Sequence, residues 1–208
     1  MVNNDFVSIS GYLNITAGVA LLIYWYAFAI FLPYRELSTT LSLLVRNRNW
    51  VWINAIGVIG ALTGLLGQAG IYVIQISTPS GFSSIGFYIA SAGTALLIGT
   101  MLWDTILWPI LVKRDERLLD FQGPIYTSKT FFPFFIVAGL IYSVGYILVG
   151  IGIIKASVFP TVVGYLMAIG APTFGLGSMF GKYQVYPRTV GVTLISVSLI
   201  WIGFVMLA

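Results

Sequence analysis

One carboxylate interrupts a long apolar stretch of this sequence and could do chemistry there. Asp104 is the only acidic residue within a predicted membrane span, and a charged group in hydrocarbon is costly and by default marks function. Gly86, Ala90, Gly93 and Thr100 share its helical face, which predicts that Asp104 points into a helix bundle. A carboxylate placed there could carry a proton or bind an ion.

The neighbours of Asp104 favour a different role. Lys113 follows nine residues later, and Trp103 and Trp108 are of the residue type that concentrates at the membrane–water interface. Pro109 ends or kinks the predicted span close by. We therefore expect a structural or interfacial position for Asp104, with the proton or ion site as the alternative.

A glycine stripe marks the second predicted span. Gly57, Gly60, Gly64 and Gly67 recur at spacings of three, four and three, which places them on one side of a helix. Small residues at this spacing let two helix backbones approach closely. We predict a helix-packing face, and the alternative is the wall of a substrate cavity.

Three amide side chains accompany that stripe. Asn54, Gln68 and Gln75 fall on or beside the same helical face, and lipid offers an amide no hydrogen-bond partner. The face should therefore point inward. Together with Asp104, the three amides form our candidate intramembrane polar site.

A proline interrupts the fifth predicted span. Pro172 lies within segment 168–177 (AIGAPTFGLG) and removes one backbone donor, so we predict a bent or broken helix there. Broken helices form ligand sites in many transporters, although prolines are also common in ordinary membrane helices.

The two halves of the chain share a short pattern. Segment 59–67 (IGALTGLLG) and segment 169–177 (IGAPTFGLG) match at six positions with a shift of 110, and the same shift aligns Gly93 with Gly203. A three-plus-three duplication would give inverted halves. The alternative is a chance match, because glycine-rich apolar segments resemble one another easily.

The composition of the chain indicates a membrane protein. Apolar residues make up 59% of the 208 and charged residues 8%, where a soluble domain carries about 25% charged residues. We predict an all-α bundle in a single transmembrane domain, 1–208. Six stretches reach the length of about 20 residues that a span requires, namely 12–34, 50–76, 84–112, 131–154, 158–180 and 189–207. Five tryptophans fit an aromatic belt at the span ends: Trp50, Trp52, Trp103, Trp108 and Trp201.

Basic residues predict the orientation in the cell membrane. Nine lie in the connections after the first, third and fifth spans, and Lys155 alone lies in the others. Because cytoplasmic loops are enriched in Lys and Arg, we place the nine in the cytoplasm and both termini outside. The nine are Arg35, Arg46, Arg48, Lys113, Arg114, Arg117, Lys129, Lys182 and Arg188.

Several functions have no support in the sequence. Cysteine and histidine are absent, which excludes disulfides, iron–sulfur clusters, histidine-ligated haem and the usual zinc sites. We find no P-loop, no dinucleotide fingerprint and no nucleophile–base pair. The basic residues form no stripe with aromatics that would suit nucleic acid. We expect no cofactor and no metal, and a non-catalytic protein.

Two groups of motifs resemble a known family. The first is 102–109 (LWDTILWP) followed by 123–126 (GPIY) and 131–133 (FFP), and the second is 150–160 (GIGIIKASVFP) leading to Gly164. This pattern resembles small six-span bacterial and archaeal membrane proteins of unknown function. The resemblance covers nearly the whole chain and implies six spans, but it implies no activity and no site residues.

The leading expectation is a non-catalytic subunit of a larger membrane assembly, in contact with the lipid bilayer and with other membrane subunits or copies of itself. The alternative is a small-solute or proton-coupled transporter that uses Asp104, Gln68 and the broken fifth span. An enzyme acting on lipid or quinone is a third hypothesis. A polar, water-sized cavity reaching Asp104 would favour transport, and a dry glycine-packed core with an exposed apolar flank would favour a subunit.

Overall fold

The computed structural model describes residues 4–32, 41–76, 81–119, 123–125 and 127–208. Within these ranges the chain forms α-helices joined by short connections. A π-helical turn, Trp103–Leu107, joins α4 to α5, and 3-10 helices cover Glu116–Leu119 and Gly177–Tyr183. The α-helices are α1 Asn4–Phe31, α2 Leu41–Arg46, α3 Trp50–Gln75, α4 Gly81–Leu102, α5 Trp108–Arg114, α6 Phe131–Ala156, α7 Thr161–Gly175 and α8 Val185–Leu207.

The prediction of an all-helical, multi-pass membrane protein is confirmed. Five helices are long and apolar enough to cross a membrane, and one of them is the continuous helix Phe82–Arg114 through α4, the π turn and α5. The sixth, α7, has 15 residues, or about 22 Å at the α-helical rise, which is less than a hydrocarbon core of about 30 Å. The 3-10 helix Gly177–Tyr183 follows α7 after a bend at Leu176. The count of six spans therefore stays a prediction.

The helix ends differ from the predicted spans most at the start of α1, at the end of α7, which is Gly175 and not 180, and at the start of α8. Helix α1 begins at Asn4, eight positions before the predicted start at 12, because its first residues are too polar for a hydropathy pattern to include. The predicted start of the last span at 189 is also late, since α8 begins at Val185. That difference moves Arg188 from a loop into a helix.

The six long helices form a closed ring. Each one packs against the helices before and after it, in the order α1, α3, α4, α6, α7 and α8, and α8 returns to α1. Consecutive helices run antiparallel. Eight of the described basic residues lie at one end of the ring, which we call the basic end, and Lys155 lies at the other, the far end.

Five of the six seams between neighbouring helices are closed by glycine. A side-chain carbon built on these glycines would come closer than 3.0 Å to the next helix, where real side-chain carbons essentially never lie. This close approach is how small residues stabilise helix pairs in membranes. The approaches pair Gly67 with Asn14, Gly18 with Ser196, Gly93 with Tyr142, Gly150 with Gly164, and Gly191 with Phe174.

The seam between α3 and α4 is built differently. No described glycine of α3 has its nearest neighbours on α4. Instead, the rings of Tyr72 and Phe87 stack with centroids 4.6 Å apart, and the Tyr72 hydroxyl lies 3.5 Å from Ser84 Oγ. The α3–α4 seam is therefore held by larger side chains than the glycine seams.

Candidate functional site

Pro109 explains the π turn that carries Asp104. Because proline has no N–H, the carbonyls four and five residues before it lose their helical donor. Here the Trp108 N–H bonds to the Trp103 carbonyl, five residues back, which is the π-helical pattern. Such single turns within α-helices often occur at functional sites.

Trp50 supplies the donor that Pro109 cannot. In the π turn, the Asp104 carbonyl would receive its bond from residue 109, which has no N–H. The Trp50 indole nitrogen donates to this carbonyl at 2.6 Å. Asp104 therefore lies level with the first turn of α3, at the basic end of the ring.

An aromatic cluster surrounds this point. The Trp50 ring stacks on Trp108 at 6.4 Å and packs against Phe28 at 5.8 Å, which in turn stacks on Trp25 at 5.4 Å. Trp50 and Trp108 are buried, so these two rings pack inside the protein. Trp52 and Trp201 are exposed and remain compatible with a belt.

Arg188 is a candidate site residue that the sequence pattern missed. Its guanidinium lies 4.4 Å from the Trp25 ring and 4.9 Å from the Phe174 ring, a cation–π arrangement. Trp25 is held in place because its indole N–H donates to Thr189 Oγ1 at 2.7 Å. Gly177 lets the arginine pass, since a side-chain carbon there would collide with Arg188 Cγ.

Asp104 and Arg188 are the charged residues beside this aromatic cluster, and no direct salt bridge joins them within the described residues. Asp104 Oδ1 and Arg188 Nε are both buried without a hydrogen-bond partner among the described atoms. Unsatisfied buried groups cost roughly 1–3 kcal/mol each, and more when charged. A polar guest that accepts from Arg188 or donates to Asp104 would satisfy one of these atoms.

The structure does not bring all four predicted polar residues to one place. Asn54 is close to Trp50, because its Nδ2 donates to the Trp50 carbonyl at 2.8 Å. Gln75 is at the far end, where its Oε1 and Ser83 Oγ flank Gly152. The 21 residues from Asn54 to Gln75 correspond to roughly 30 Å along the helix.

The polar residues instead form a line along the α3–α4 seam. Asn54, Gln68 and Gln75 are spaced by fourteen and seven positions, so they share one face of α3. In the antiparallel register given by Tyr72 and Phe87, Ser91 lies level with Gln68. All these α3 side chains are almost fully buried. We call this line the polar seam, and its basic end reaches the π turn.

Several atoms of the polar seam have no partner. Gln68 is 2% exposed, yet neither its Oε1 nor its Nε2 makes a hydrogen bond among the described residues, and the same holds for Asn54 Oδ1 and Ser91 Oγ. Native structures rarely leave such atoms unsatisfied. The amides can both donate to and accept from a polar guest.

A small cavity lies beside the polar seam at the centre of the ring. The space open to the centre of a water molecule is about 20 Å³, and all six long helices line it. Thr94, Tyr142 and Tyr146 contribute hydroxyl groups, and Phe174 separates the cavity from Arg188. Thr94 Oγ1 lies 3.2 Å from the Tyr146 hydroxyl. This volume holds one water molecule.

The cavity fits neither of the two expectations in full, the polar cavity that reaches Asp104 or the dry glycine-packed core. It is water-sized and carries hydroxyl groups, but Asp104 is not among its lining residues. The surrounding packing is dense and rich in glycine. Pro172 lies near the end of α7, and the helix changes to 3-10 geometry after Gly175, so the break is three residues later than the proline.

The glycine face of α3 is used within the chain. Carbons built on Gly57, Gly60, Gly64 and Gly67 would all meet α1, at Tyr24, Leu21, Ala17 and Asn14. This stripe is therefore a packing face between two helices of one molecule. It is not free to receive another subunit.

No family model, curated protein or solved structure matches this chain. The resemblance to small six-span membrane proteins stays a prediction.

Proposed function

We propose that the protein is a small-solute carrier whose route follows the polar seam. The observation that carries this proposal is the row of buried, unpartnered groups from Gln68 through Asn54 to Asp104. In a membrane interior such groups are costly unless they meet a polar guest. The compact ring then corresponds to a closed state, with one water-sized cavity at its centre.

The chemistry of the polar seam favours a neutral solute. Its side chains are carboxamides and hydroxyls, which bind donors and acceptors alike, and they carry no charge before Asp104 and Arg188. At the basic end, Asp104 or Arg188 would bind the solute, or Asp104 would move a proton. A small molecule with several hydrogen-bonding groups fits this set.

The orientation that we propose has six spans with both termini outside the cell. Helix α7 and the 3-10 helix after it together supply the fifth crossing, about 36 Å by their rises. The basic end then faces the cytoplasm, as the excess of Lys and Arg predicts. Because the chain has no cysteine, single cysteines at Val2 and Arg117 should react with an impermeant reagent from opposite sides. Reaction of both from one side would refute six spans.

We further propose that the two halves are an inverted repeat, as in several carrier folds. Two glycine contacts support it. Gly93 lies against Tyr142, and Gly203 lies against Ile15. Gly203 follows Gly93 by 110 positions, and Tyr142 follows Ile15 by 127 positions.

A second pair of contacts has the same two offsets. Gly145 lies against Ala90, and Gly18 lies against Ile200, with 127 and 110 positions between the equivalent residues. The α4–α6 seam therefore repeats the α1–α8 seam in register, which a chance match of glycine-rich segments does not require.

Flux into proteoliposomes tests the carrier. Protons would be followed with a trapped pH dye, and glycerol and urea by osmotic swelling. We expect flux of at least one probe above that of empty liposomes. Asp104→Asn and Gln68→Leu should abolish it without loss of thermal stability, while Leu62→Met, on the exposed outer surface of α3, should keep it.

The second candidate is a non-catalytic subunit of a membrane assembly. The tight glycine seams and the single-water cavity favour it, because a carrier must open. No flux of any probe in the wild type, together with a protein that co-purifies in mild detergent at constant ratio, would support the subunit and contradict the carrier.

A further inference from the structure

An open groove lies outside the ring at the basic end, between the π turn and the start of α6. Its volume is about 440 Å³, within the roughly 300–1,000 Å³ typical of small-molecule sites. Trp103, Phe131 and Phe134 line it, and so do Ser128 and Thr130. The groove is thus apolar on one side and carries hydroxyls on the other.

The apolar side of the groove is preformed. The Trp103 ring stacks on Phe131 with centroids 5.9 Å apart and on Phe134 at 5.6 Å. Each ring therefore holds the others in place, and a flexible chain that lies against them would lose entropy without requiring the protein to rearrange.

The polar side of the groove is organised around one serine. Ser128 Oγ lies 2.8 Å from Thr130 Oγ1 and accepts from the backbone N–H groups of Thr130 and Phe131 at 3.3 and 3.4 Å. Lys129 lies between these two groove residues and is exposed. Two hydroxyls thus border the aromatic wall, and a cationic residue lies between them in the sequence.

We infer that this groove binds an anionic phospholipid. One acyl chain would lie against the aromatic wall, and the phosphate would meet Lys129 and the hydroxyls of Ser128 and Thr130. The charge of the basic end favours an anionic headgroup, since a basic residue near the membrane surface contributes about 1 kcal/mol to such binding. Aromatic rings beside basic residues are also the usual composition of a membrane–water interface.

This lipid would contact the π turn that carries Asp104. Trp103 faces the groove, and the next residue, Asp104, has a buried carboxylate oxygen. The inference does not depend on the carrier proposal, because lipid binding and flux are measured separately.

Lipid titration of the delipidated protein in detergent tests the site. Phosphatidylglycerol and phosphatidylcholine with identical acyl chains would be added, and bound lipid counted by native mass spectrometry. We expect tighter binding of phosphatidylglycerol. Lys129→Gln should weaken it about fivefold and leave phosphatidylcholine nearly unchanged.

Two further variants complete the test. Phe134→Ala should weaken both lipids, after its unfolding midpoint without lipid has shown that it folds. Arg48→Gln removes an exposed charge at the same end but outside the groove, and should change nothing. Equal affinity for the two lipids, or an equal loss in Arg48→Gln and Lys129→Gln, would overturn the inference. Lys129 is exposed, so Lys129→Gln should fold normally. This variant therefore tests the lipid site even if Phe134→Ala is unstable.

Discussion

Helix α3 presents two different faces to its two neighbours. Toward α1 it presents glycines, and the backbones come so close that a methyl group has little room. Along the polar seam with α4 it presents amides, several of whose atoms have no partner among the described residues. One face is optimised for packing, while the other retains groups that a merely structural helix would replace with leucine. If the polar seam carries a solute as proposed, packing and function use adjacent faces of one helix.

The largest expected effect comes from filling the packing face. Gly67→Leu should prevent folding, because even its first side-chain carbon would lie 2.8 Å from Asn14 Cγ and 3.0 Å from the Asn14 backbone nitrogen. Overpacking of this kind costs about 1–3 kcal/mol or more. The matched control is Gly99→Leu, since a carbon built on Gly99 meets nothing within 4 Å. Size-exclusion profiles in detergent would separate the two, and similar profiles would refute the packing face.

Glycine-to-alanine variants test the same face of α3 with a smaller change, a single methyl group. Gly64→Ala should be tolerated, because its carbon would meet only the Ala17 side chain at 3.5 Å, and alanine gains up to about 1 kcal/mol of helix propensity over glycine. Gly67→Ala should lower the unfolding midpoint. A reversed order in thermal unfolding would contradict the contacts described above.

The sequence could predict the glycine face of α3, but it could not predict which of its glycines are most crowded. A spacing of three and four places residues on one side of any helix, so the stripe needs no knowledge of the fold. Which helix packs on it, and how closely at each glycine, depends on long-range contacts. Gly64 was the natural position to test from the Gly60–Gly64 spacing, yet it is the least crowded of the four. Leu65, next to Gly64, packs against the core, which the spacing alone does not show either.

The candidate site was predictable in part for similar reasons. Asp104 and the amides stand out because charge and amides are rare in apolar segments. The π turn had a local signal, since Pro109 deprives the Asp104 carbonyl of its donor, but the partner Trp50 is 54 positions away. Arg188 had no such signal, because it adjoins a basic loop and only the fold places it on Trp25.

Trp50 connects the first turn of α3 to the π turn of Asp104. Its replacement should lower stability by an amount between the effects of the glycine variants and of Gln68→Leu. Trp50→Phe keeps an aromatic ring but leaves the Asp104 carbonyl without the indole donor, which should cost about 1–3 kcal/mol. Trp52→Phe is the control, because the Trp52 N–H bonds to Asn49 at an exposed position. Denaturant unfolding should give a clear loss for Trp50→Phe and almost none for Trp52→Phe. Equal losses would remove the special role of the Trp50–Asp104 bond.

The smallest effect on stability should come from Gln68, and it should have the opposite sign. Gln68→Leu removes two buried polar atoms that have no partner and replaces them with an apolar side chain of similar size. Removing an unsatisfied buried group is neutral or stabilising, by up to about 1 kcal/mol, so the unfolding midpoint should stay or rise. The same variant should lose the proteoliposome flux, because the polar seam would no longer offer hydrogen bonds at mid-length. A protein that is more stable and less active would mean that the amide is retained for function at the expense of packing. A clear loss of stability would mean that Gln68 has a structural partner after all, and the contrast between the two faces of α3 would then fail.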